Sequence, residues 1–388
     1  MDNAKKMIFV VDPSFFTLPY DNELCKALGT ISSLEVVLIG RPLRKGERIK
    51  NENFVFLPLF FKTSENLKSS DNKFISTSAK YFKSIEYAFN WLKLLRLIRT
   101  KNPAVIHFEW LPLPPVDYVF LKKIKNLSKI IVTVHDTEPF HNQPTSSWQL
   151  RGWLKTLSLA ETIIVHTKFS KNRLIQKNIP PSKIGIIPHG LLDFGTDHVG
   201  KTRNINYEFR ILFFGAIKRY KGLDLLVEAF NRFKKTDDRK YILTIVGKSH
   251  ENASNLRTLH TNPEDCQKEI VWDLRFFNDE ELPGILGSAD LAVFPYRDID
   301  GSGALMTAIF YEIPFICSDI DGFVEIVGRD SILTFKKDST ASLADKLERV
   351  TSDIKILDKI KKEVLAVKSK VPSWIEIAEI TKSIYEKK

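Results

Sequence analysis

The stretch Ile211–Phe230, ILFFGAIKRYKGLDLLVEAF, has the pattern of a strand, a tight loop and a helix. Ile211–Phe214 is an apolar run of strand length, and Gly215 then lets the backbone turn sharply because no side chain obstructs it. The apolar residues that follow at helical spacing are Leu223, Leu226, Val227 and Phe230. The pattern predicts one β–loop–α unit of an α/β protein.

The loop of this unit is basic, since Lys218, Arg219 and Lys221 lie beside Gly222. A loop that leaves a strand and opens a helix offers free backbone N–H groups and the positive end of the helix dipole. Cations in the loop add charge-assisted hydrogen bonds to the same anion. The residues fit a cradle for a phosphate or diphosphate, and they fit a solvated basic turn equally well.

Polar residues also follow other predicted strands. Gly301-Ser302-Gly303 comes after a strand and the acidic loop that holds Asp300, and it opens a helix. That is a second phosphate cradle by geometry, compatible with Ser302 as a helix N-cap. His135-Asp136 ends the strand KIIVTV, where an imidazole beside a carboxylate can act as a general base, orient a hydroxyl or cap a helix. Ile187-Pro188-His189-Gly190 ends another strand.

The alternation of short β-branched runs with helical patterns continues along the chain and predicts two parallel sheets covered by helices. At 388 residues the chain suits two domains of roughly 190 residues each. We expect domains at residues 1–190 and 209–372, a polar linker at 191–208 and a last helix at 373–388. Ligands of such sheets bind at the C-terminal strand ends, where Asp12-Pro13-Ser14, Glu109-Trp110 and His135-Asp136 lie in the first half.

The net charge of +11 lies entirely in the first half of the chain. Residues 1–200 hold 28 Lys and Arg against 17 Asp and Glu, whereas the remainder holds 30 of each. The cations concentrate in a predicted loop, Arg41–Lys50, and a predicted helix, Lys73–Arg99, which also carries aromatic residues. The helix is typical of an anionic membrane surface or of a packed helix with a solvated basic face. No nucleic-acid motif accompanies the charge, so nucleic acid is not an expected partner.

Three scattered cysteines, Cys25, Cys266 and Cys317, indicate a reducing compartment without a disulfide framework. The apolar run near the N-terminus is too short for a signal peptide, and no apolar stretch approaches the length of a membrane span. We therefore expect a cytoplasmic protein, peripheral on the inner face of the plasma membrane. No cluster has metal-ligand spacing, and we expect no metal at Asp298-Ile299-Asp300, which is formally DxD.

A series of motifs across almost the whole chain resembles glycosyltransferases of family 4, which have the two-domain GT-B fold. The motifs are PSFFTLPYDNEL, VIHFEWLPLPPVD, TVHDTEPF, IIVHTKFSKNRL, IPHG, FFGAIKRYKG, SGALMTA and SWIEIAEIT. The resemblance implies two Rossmann-like domains facing a cleft, with the last helix crossing back onto the first domain. It also implies transfer of a hexosyl group from a nucleotide-diphosphate sugar to a hydroxyl of a lipid-linked or glycan acceptor, in surface polysaccharide or glycolipid biosynthesis.

The resemblance implies roles for individual residues as well. The implied donor-binding residues are Gly215, Lys218, Lys221, His189, Gly190, Ser302, Gly303 and Glu325. The candidates for catalysis are His135, Asp136 and Asp300. Lys218 and Lys221 would hold the diphosphate, Ser302 and Gly303 would donate backbone N–H groups, and His135 would contact the donor sugar. No cofactor is expected beyond the nucleotide sugar, because this fold uses helix dipoles and cations in place of a metal.

One departure from the family leaves alternatives open. The best-known branch carries two Glu residues separated by seven, and these positions are Ile299 and Thr307 here. The sequence instead resembles a branch that reads PYRxIxxSGxLxxA. The donor sugar and the stereochemistry of transfer do not follow from the sequence. A sugar-nucleotide epimerase of the same fold and a nucleotide-sugar-binding protein without catalysis remain as alternatives.

Overall fold

The computed structural model describes residues 5–49, 53–67, 76–138, 147–195, 208–234, 237–249 and 268–387. The chain divides into two compact units, one of Met1–Gly190 with Pro372–Lys388 and one of Leu191–Val371. Of the predicted linker, residues 191–195 belong to the second unit, and residues 196–207 lie outside the described part. Cys266 and Lys73 also lie outside it.

The first unit is built on a sheet of seven parallel strands in the order β3-β2-β1-β4-β5-β6-β7. The strands are β1 Lys6–Val11, β2 Leu34–Gly40, β3 Val55–Pro58, β4 Val105–Phe108, β5 Lys129–Thr133, β6 Thr162–Val165 and β7 Ile184–Ile186. Strand β4 is buried at every position, as expected for a strand covered on both faces. The sequence pattern missed β3, a short edge strand with no fully buried residue.

Helices cover both faces of this sheet. Their bounds are α1 Leu18–Gly29, α2 Lys62–Leu67, α3 Ser76–Lys101, α4 Pro114–Ile124, α5 Ser147–Ser158, α6 Lys168–Gln176 and, from the C-terminus, α13 Trp374–Glu386. Helix α13 packs against α1. A capping box starts α13, because the Ser373 side chain accepts from the Glu376 backbone N–H while the Glu376 side chain accepts from that of Ser373. The C-terminal helix is thus part of the first unit.

Helix α3 has one buried and one exposed face. On the buried face, Tyr87 and Trp91 donate hydrogen bonds of 2.5 and 3.1 Å to Asp117 Oδ1, and the Leu113 backbone N–H donates to its Oδ2 at 2.8 Å. Burial raises the pKa of Asp117 to about 7 despite these donors. From residue 82 onward, where the side chains of α3 are described, the exposed large apolar residues are Phe82, Ile85, Phe89 and Leu92. Their spacing places them along one stripe of the helix.

The structure corrects the predicted basic surface at Arg41–Lys50 in part, since Lys45 and Arg48 are exposed but two other cations are paired with acids. The Arg41 side chain is 1% exposed and forms a bidentate ion pair with Glu47, at 2.7 and 2.5 Å. Arg44 forms another with Glu65, at 2.6 and 2.8 Å. A count of cations along the sequence could not show that acids 6 and 21 residues away neutralise them. Lys50 lies outside the described residues.

The second unit repeats the architecture with six parallel strands in the order β10-β9-β8-β11-β12-β13. The strands are β8 Glu208–Phe214, β9 Lys240–Val246, β10 Lys268–Asp273, β11 Leu291–Phe294, β12 Phe315–Ser318 and β13 Thr334–Phe335. The helices are α7 Leu223–Arg232, α8 Leu282–Gly287, α9 Gly303–Phe310, α10 Asp321–Val327, α11 Thr340–Ser352 and α12 Ile354–Lys368. The opening stretch of the sequence therefore forms β8 and α7, as predicted.

Each sheet reverses its strand order once, between β1 and β4 in the first unit and between β8 and β11 in the second. At such a reversal the helices that follow the two neighbouring strands leave toward opposite faces of the sheet. A crevice opens there beyond the C-terminal strand ends, and it is the usual ligand site of this architecture. The fold thus offers one candidate site in each unit. Within the described residues, no helix is both long and apolar enough to cross a bilayer.

Candidate functional site

The crevice of the second unit contains the predicted basic loop. Gly215 follows β8 with φ +100°, a conformation that L side chains rarely adopt. Lys218 is exposed and precedes the 3₁₀ turn Arg219–Lys221. Lys221 is 7% exposed, and a Cβ added to Gly215 would lie 3.2 Å from its Nζ. The structure thus brings the Lys221 ammonium next to the backbone of Gly215.

Lys221 is a buried cation without a protein counter-ion in the described part of the chain. Its Nζ lies 5.1 Å from the centroid of the Tyr296 ring, a cation–π contact. Burial lowers the pKa of Lys221 to about 8, and no carboxylate opposes that shift. An unpaired buried ammonium is costly, and an anion bound in the crevice would remove the cost.

Close backbone packing fixes the loops around this lysine. Gly222 has φ +65°, and a Cβ there would lie 1.9 Å from the Pro295 carbonyl oxygen, so a larger residue does not fit. Arg297, which follows β11, donates two hydrogen bonds to Asp224 in the first turn of α7, at 2.8 and 2.6 Å. Its Nη1 also donates to the Arg219 carbonyl oxygen at 2.9 Å. These contacts hold the two loops of the crevice together.

The second predicted cradle lies at the start of α9. Ser302 is the N-cap, and its Oγ accepts a hydrogen bond of 3.2 Å from the Leu305 backbone N–H. The adjacent Gly301 has open space around it, since a Cβ there would meet no atom within 4 Å. Asp300 is 2% exposed, and Glu325 is an exposed residue of α10. Helix capping and anion binding by the remaining N–H groups are compatible here.

Ile299 and Thr307 occupy the two positions where the better-known branch carries Glu, and both make contacts inside the second unit. Thr307 is 2% exposed, and its hydroxyl donates to the Gly303 carbonyl oxygen at 2.7 Å inside α9. Ile299 packs against the core of the unit, and its carbonyl oxygen lies so close to Gly322 that a Cβ there would come within 2.2 Å. Neither position carries a carboxylate. The buried acid nearest to them in sequence is Asp300, the residue after Ile299.

The crevice of the first unit contains three buried acids and a histidine. Asp12 follows β1, Glu109 follows β4, and His135 follows β5. Asp12, Asp21 and Glu109 are all fully buried, and burial raises the pKa of each. The neighbouring carboxyls of Asp12 and Glu109 raise the pKa of Asp21 further. The cluster is therefore at least partly neutral.

A chain of hydrogen bonds fixes the tautomers of two histidines. His166 Nδ1 lies 2.9 Å from the Ile187 carbonyl oxygen, which can only accept, so Nδ1 carries the hydrogen. Burial lowers the pKa of His166 and of His135 to about 3, so both imidazoles are neutral. His166 Nε2 consequently accepts from His135 Nδ1–H at 3.0 Å. His135 Nε2 then has a lone pair, 2.9 Å from Glu109 Oε2, and the hydrogen of that contact belongs to Glu109.

Both ring nitrogens of His135 are thus engaged inside the first unit. The ring cannot take a proton from an acceptor hydroxyl while these bonds persist, which favours the orienting role over the role of base. Asp136, the next residue, is half-buried, and its Oδ1 accepts from the Glu138 backbone N–H at 2.8 Å. Neither residue caps a described helix. The cap of α6 is Thr167, whose Oγ1 accepts from the Ser170 backbone N–H.

Asp21, Glu109 and His135 each offer a ligand atom within 4.8 Å of the others, close enough for one small cation. The second oxygens of Asp21 and Glu109, Oδ2 and Oε1, are buried without a conventional hydrogen-bond donor. A proton on Asp21 and a proton on Glu109, which the raised pKa values favour, would lower the cost of burying these oxygens. The donor set therefore fits a cation geometrically but does not require one.

The predicted residues His189 and Gly190 belong to the same crevice. Tyr20 lies at the centre of four rings, with centroid distances of 5.0 to 5.2 Å to His135, His166, His189 and Trp374. His189 Nδ1 donates to the Gly190 carbonyl oxygen at 2.7 Å, and burial lowers the pKa of His189 to about 3. A Cβ on Gly190 would come 2.5 Å from the Trp374 ring, which explains the glycine.

The structure adds residues that sequence reasoning did not place in the site. They are Tyr20, Asp21, His166, Tyr296 and Arg297, whereas Glu109 was expected at the C-terminal strand ends but was given no role. Glu109 carried a usable signal, an acid directly after a fully buried strand. Tyr20 and His166 gave no such signal, because their roles depend on ring contacts between residues far apart in sequence. The two crevices belong to different units, and each is described by itself.

The class of protein follows from the fold and from the sequence families that its two halves match. Residues 71–191 match the family described as Glycosyltransferase Family 4, and residues 208–353 match the family described as Glycosyl transferases group 1. Together these segments cover more than half of the chain. The chain belongs to the GT-B glycosyltransferases with these two domains. This confirms the resemblance to glycosyltransferases and the fold class that were predicted from the sequence.

Solved structures share this fold at low sequence identity. HepE of Anabaena, in complex with UDP and glucose, is 14% identical with a TM-score of 0.70, over 98% of this chain and 99% of that one. Sucrose-phosphate synthase from Thermosynechococcus elongatus is 13% identical with a TM-score of 0.72, over 98% of each chain. A glycosyltransferase from Rickettsia africae is 16% identical with a TM-score of 0.67, over 98% of each chain. No curated protein matches the sequence.

Proposed function

We propose that the protein transfers a hexosyl group from a UDP-sugar to a hydroxyl of a lipid-linked or glycan acceptor, in surface polysaccharide or glycolipid biosynthesis. The observation that carries the proposal is the buried Lys221 ammonium, which has no carboxylate partner in the described residues and lies beside Gly215. A donor diphosphate would supply the missing negative charge. Uridine is the proposed base because HepE, which shares the fold, was solved with UDP-glucose.

In the proposed reaction the acceptor oxygen bonds to the anomeric carbon of the donor sugar. The bond between that carbon and the phosphate oxygen breaks, and its electron pair leaves with UDP. Negative charge then grows on the diphosphate, where Lys218, Lys221 and the N–H groups of Ser302 and Gly303 would stabilise it. Asp300 and Glu325 are proposed to bind sugar or ribose hydroxyls, and His189 with Gly190 to complete the donor contacts.

The acceptor proton has two proposed destinations, which correspond to the two stereochemical outcomes. With inversion a protein base takes it, and we propose Asp136 as this base, because both His135 nitrogens are engaged and Asp300 is assigned to the hydroxyls of the donor. With retention the departing phosphate takes it, and no protein base is required. The anomeric configuration of the product, measured by NMR, tells the two apart.

We propose that no metal ion takes part. The charge on the leaving diphosphate would be balanced by Lys218, Lys221 and the N-terminus of α9, so the chemistry a divalent cation supplies is already present. Asp298 and Asp300, the formal DxD, lie on the loop that precedes α9.

We propose that the first unit binds an anionic membrane surface at the cytoplasmic face of the plasma membrane, where a lipid-linked acceptor is found. The supporting observation is the stripe on α3, formed by Phe82, Ile85, Phe89 and Leu92, whose side chains are 43 to 61% exposed. The neighbouring cations Lys93, Arg96 and Arg99 are exposed too. Apolar residues beside cations suit the boundary between anionic headgroups and acyl chains.

The test of the donor proposal is a panel of UDP-glucose, UDP-galactose, UDP-N-acetylglucosamine and GDP-mannose. The full chain is incubated with each, and nucleoside diphosphate release is followed with and without added glycosides. We expect slow release from one UDP-sugar and faster release with an acceptor. An isomerised sugar nucleotide would support the epimerase instead, and tight donor binding without release would support the non-catalytic binding protein.

A further inference from the structure

An exposed phenylalanine follows β1 at the crevice of the first unit. Phe16 is 63% exposed. The residue before it, Phe15, has φ +50°, in the left-handed region that bulky residues avoid. The Phe15 ring is buried against Gly40, where a Cβ would lie 2.2 Å from the ring, and Arg41 lies 5.5 Å from its centroid. The buried Phe15 anchors the turn, and the strained backbone presents Phe16 to solvent.

A second aromatic side chain, Trp110, meets Phe16 from the adjacent strand β4. The two ring centroids lie 5.3 Å apart with an interplanar angle of 62°, so the rings form a corner. Trp110 is fixed by two contacts. Its Nε1 donates to Thr17 Oγ1 at 3.0 Å, and its ring stacks on His135 at 5.5 Å with an angle of 15°. The buried network beneath therefore holds Trp110 rigid.

The surroundings of this pair are polar. Asp12 accepts hydrogen bonds from the backbone N–H groups of Ser14 and Thr17, at 3.0 and 3.2 Å, and Thr17 Oγ1 donates to Asp21 at 3.0 Å. The corner thus consists of two aromatic rings beside a rim formed by the partly exposed Ser14 and Thr17, at the point where this sheet reverses its strand order. The partly exposed Ser14 side chain is a polar group beside the rings with which an alkyl chain could form no hydrogen bond.

A pyranose ring matches such a corner. One face of the sugar presents C–H groups, which pack on the electron-rich face of an aromatic ring, while its edge presents hydroxyls to polar neighbours. Rigid aromatic side chains bind at low entropic cost because they lose few rotamers. Phe16 and Trp110 supply the faces, and Ser14 and Thr17 lie at the rim.

We propose that Phe16 and Trp110 form a platform that binds a pyranose ring of the acceptor, so that the acceptor ends in a sugar and is not a bare lipid. The proposal rests on the proposed glycosyl transfer, because it assigns an acceptor subsite for that reaction. Phe16 contacts the sugar directly. Thr17 acts as a positioning residue through its hydrogen bond to Trp110.

The test uses saturation-transfer NMR on the full chain with methyl glycosides of glucose, galactose, mannose and N-acetylglucosamine, and with hexyl phosphate as a lipid-like probe without sugar. The variants are Phe16→Ala, Phe16→Tyr and Phe276→Ala. Phe276 is a matched control, since it is 64% exposed and belongs to the second unit. UDP binding by calorimetry is measured on every variant as a readout of the donor site.

We expect at least one glycoside to receive saturation, strongest at the C–H groups of one pyranose face. Phe16→Ala should weaken its apparent affinity by about fivefold, whereas Phe16→Tyr and Phe276→Ala leave it unchanged. UDP affinity should be the same in all four proteins. The platform is overturned if no glycoside receives saturation, if Phe16→Ala binds glycosides as the wild type does, or if only hexyl phosphate binding depends on Phe16. Failure of UDP binding in the wild type would count against the donor proposal and not against the platform.

Discussion

The Arg297 guanidinium donates to both carboxylate oxygens of Asp224, with Nη1 2.8 Å from Oδ1 and Nη2 2.6 Å from Oδ2. The Arg297 backbone N–H also donates to the Tyr220 carbonyl oxygen at 2.7 Å. The pair therefore joins the loop after β11 to the turn that carries Lys221. Arg297 holds the pKa of Asp224 below its usual value against the opposing effect of burial.

The first prediction concerns this pair. We expect Asp224→Ala to lower UDP affinity by about three- to tenfold, because the turn that carries Lys221 loses its fixed position. The melting temperature should fall little, since a half-exposed ion pair contributes about 1 kcal/mol or less. Asp358→Ala, which removes an exposed ion pair with Lys361 in the same unit, is the control and should change neither quantity. If Asp224→Ala binds UDP with wild-type affinity, the ion pair between Arg297 and Asp224 does not shape the donor site.

The second prediction concerns Lys221. Replacement by Ala removes one charge-assisted hydrogen bond, so we expect UDP binding to weaken by about 1.5–3 kcal/mol while the fold is retained. Lys359→Ala, at an exposed position of α12, is the matched control. Calorimetry gives the affinities and circular dichroism gives the fold. If Lys221→Ala binds UDP as tightly as the wild type, the diphosphate lies elsewhere.

The pH dependence of donor binding provides a separate test of Lys221. Burial lowers the pKa of its ammonium to about 8, and the diphosphate needs the protonated form. UDP affinity should therefore change little between about pH 7 and pH 8, where the terminal phosphate is already ionised, and fall as the pH rises further. Lys221→Arg should remove this fall, because a guanidinium stays protonated throughout. A flat pH profile for the wild type would contradict the assignment.

The fold could be predicted from sequence because parallel strands buried on both faces have a strong local signature. Twelve of the thirteen strands followed from short β-branched runs, and the exception, Val55–Pro58, is an exposed edge strand with too few buried residues to show the pattern. The element bounds agreed within a few residues. Lys73–Arg99 was predicted as a helix, and the structure has Ser76–Lys101.

The site was only partly predictable. Glycine-rich loops and residues at strand ends mark where a ligand binds, so Gly215, Lys221 and Ser302 could be proposed in advance. The tautomer of His135 could not, because it depends on contacts with Glu109 and with His166, which lies 31 residues away in sequence. The charge of the basic surface at Arg41–Lys50 was overestimated for the same reason, since the ion pairs of Arg41 with Glu47 and of Arg44 with Glu65 appear only in three dimensions.

The third prediction concerns the histidine chain of the first unit. NMR of ¹⁵N-labelled histidine should show the Nδ1–H tautomer for both His135 and His166, as the Ile187 carbonyl dictates. Neither ring should titrate between pH 7.5 and 5, because burial lowers both pKa values to about 3. His166→Asn assigns the signals. Titration of either ring near pH 6.5, the value of an exposed histidine, would contradict the hydrogen-bond assignment.

The same shifts predict the direction of acid destabilisation. Below about pH 6.5 the unfolded chain takes up protons on these histidines, whereas the native chain does not until about pH 3. The stability they contribute is thus present above pH 6.5 and is lost as the pH falls toward 3. Asp117, with its pKa raised to about 7, acts in the opposite direction, since its neutral form favours the native state below pH 7. Melting curves of His166→Asn and of the wild type at pH 5 and pH 7.5 show how much of the pH dependence of stability comes from His166.

The fourth prediction is that transfer does not require a metal ion. Activity should survive EDTA, and Asp298→Ala should retain it, because cations and the α9 N-terminus are proposed to balance the diphosphate charge. The geometrically possible cation site at Asp21, Glu109 and His135 provides a second check. Calorimetry with Mg²⁺ or Mn²⁺ should detect no binding that Asp21→Asn abolishes. Loss of activity in EDTA, restored by Mn²⁺ in the wild type but not in Asp298→Ala, would refute the prediction.

The fifth prediction is peripheral membrane binding through α3. The full chain should co-sediment with anionic vesicles more than with neutral ones, and salt should weaken the binding because it screens the cations. Each cation near an anionic surface contributes about 1 kcal/mol, so Lys93→Glu with Arg96→Glu should reduce the binding strongly at low salt. Lys359→Glu with Lys362→Glu, on exposed positions of α12, is the matched control and should have little effect.

The apolar stripe should account for the part of the binding that resists salt. Phe89 and Leu92 are 61% and 50% exposed, so Phe89→Ser with Leu92→Ser removes apolar area from the contact without disturbing the core. The double variant should keep salt-sensitive attraction to anionic vesicles and lose most of the residual binding at high salt, because burial of apolar surface is not screened. Equal binding of the wild type to both vesicle types would remove the electrostatic explanation. Binding to neither would leave the stripe without a role at membranes and would favour a soluble acceptor.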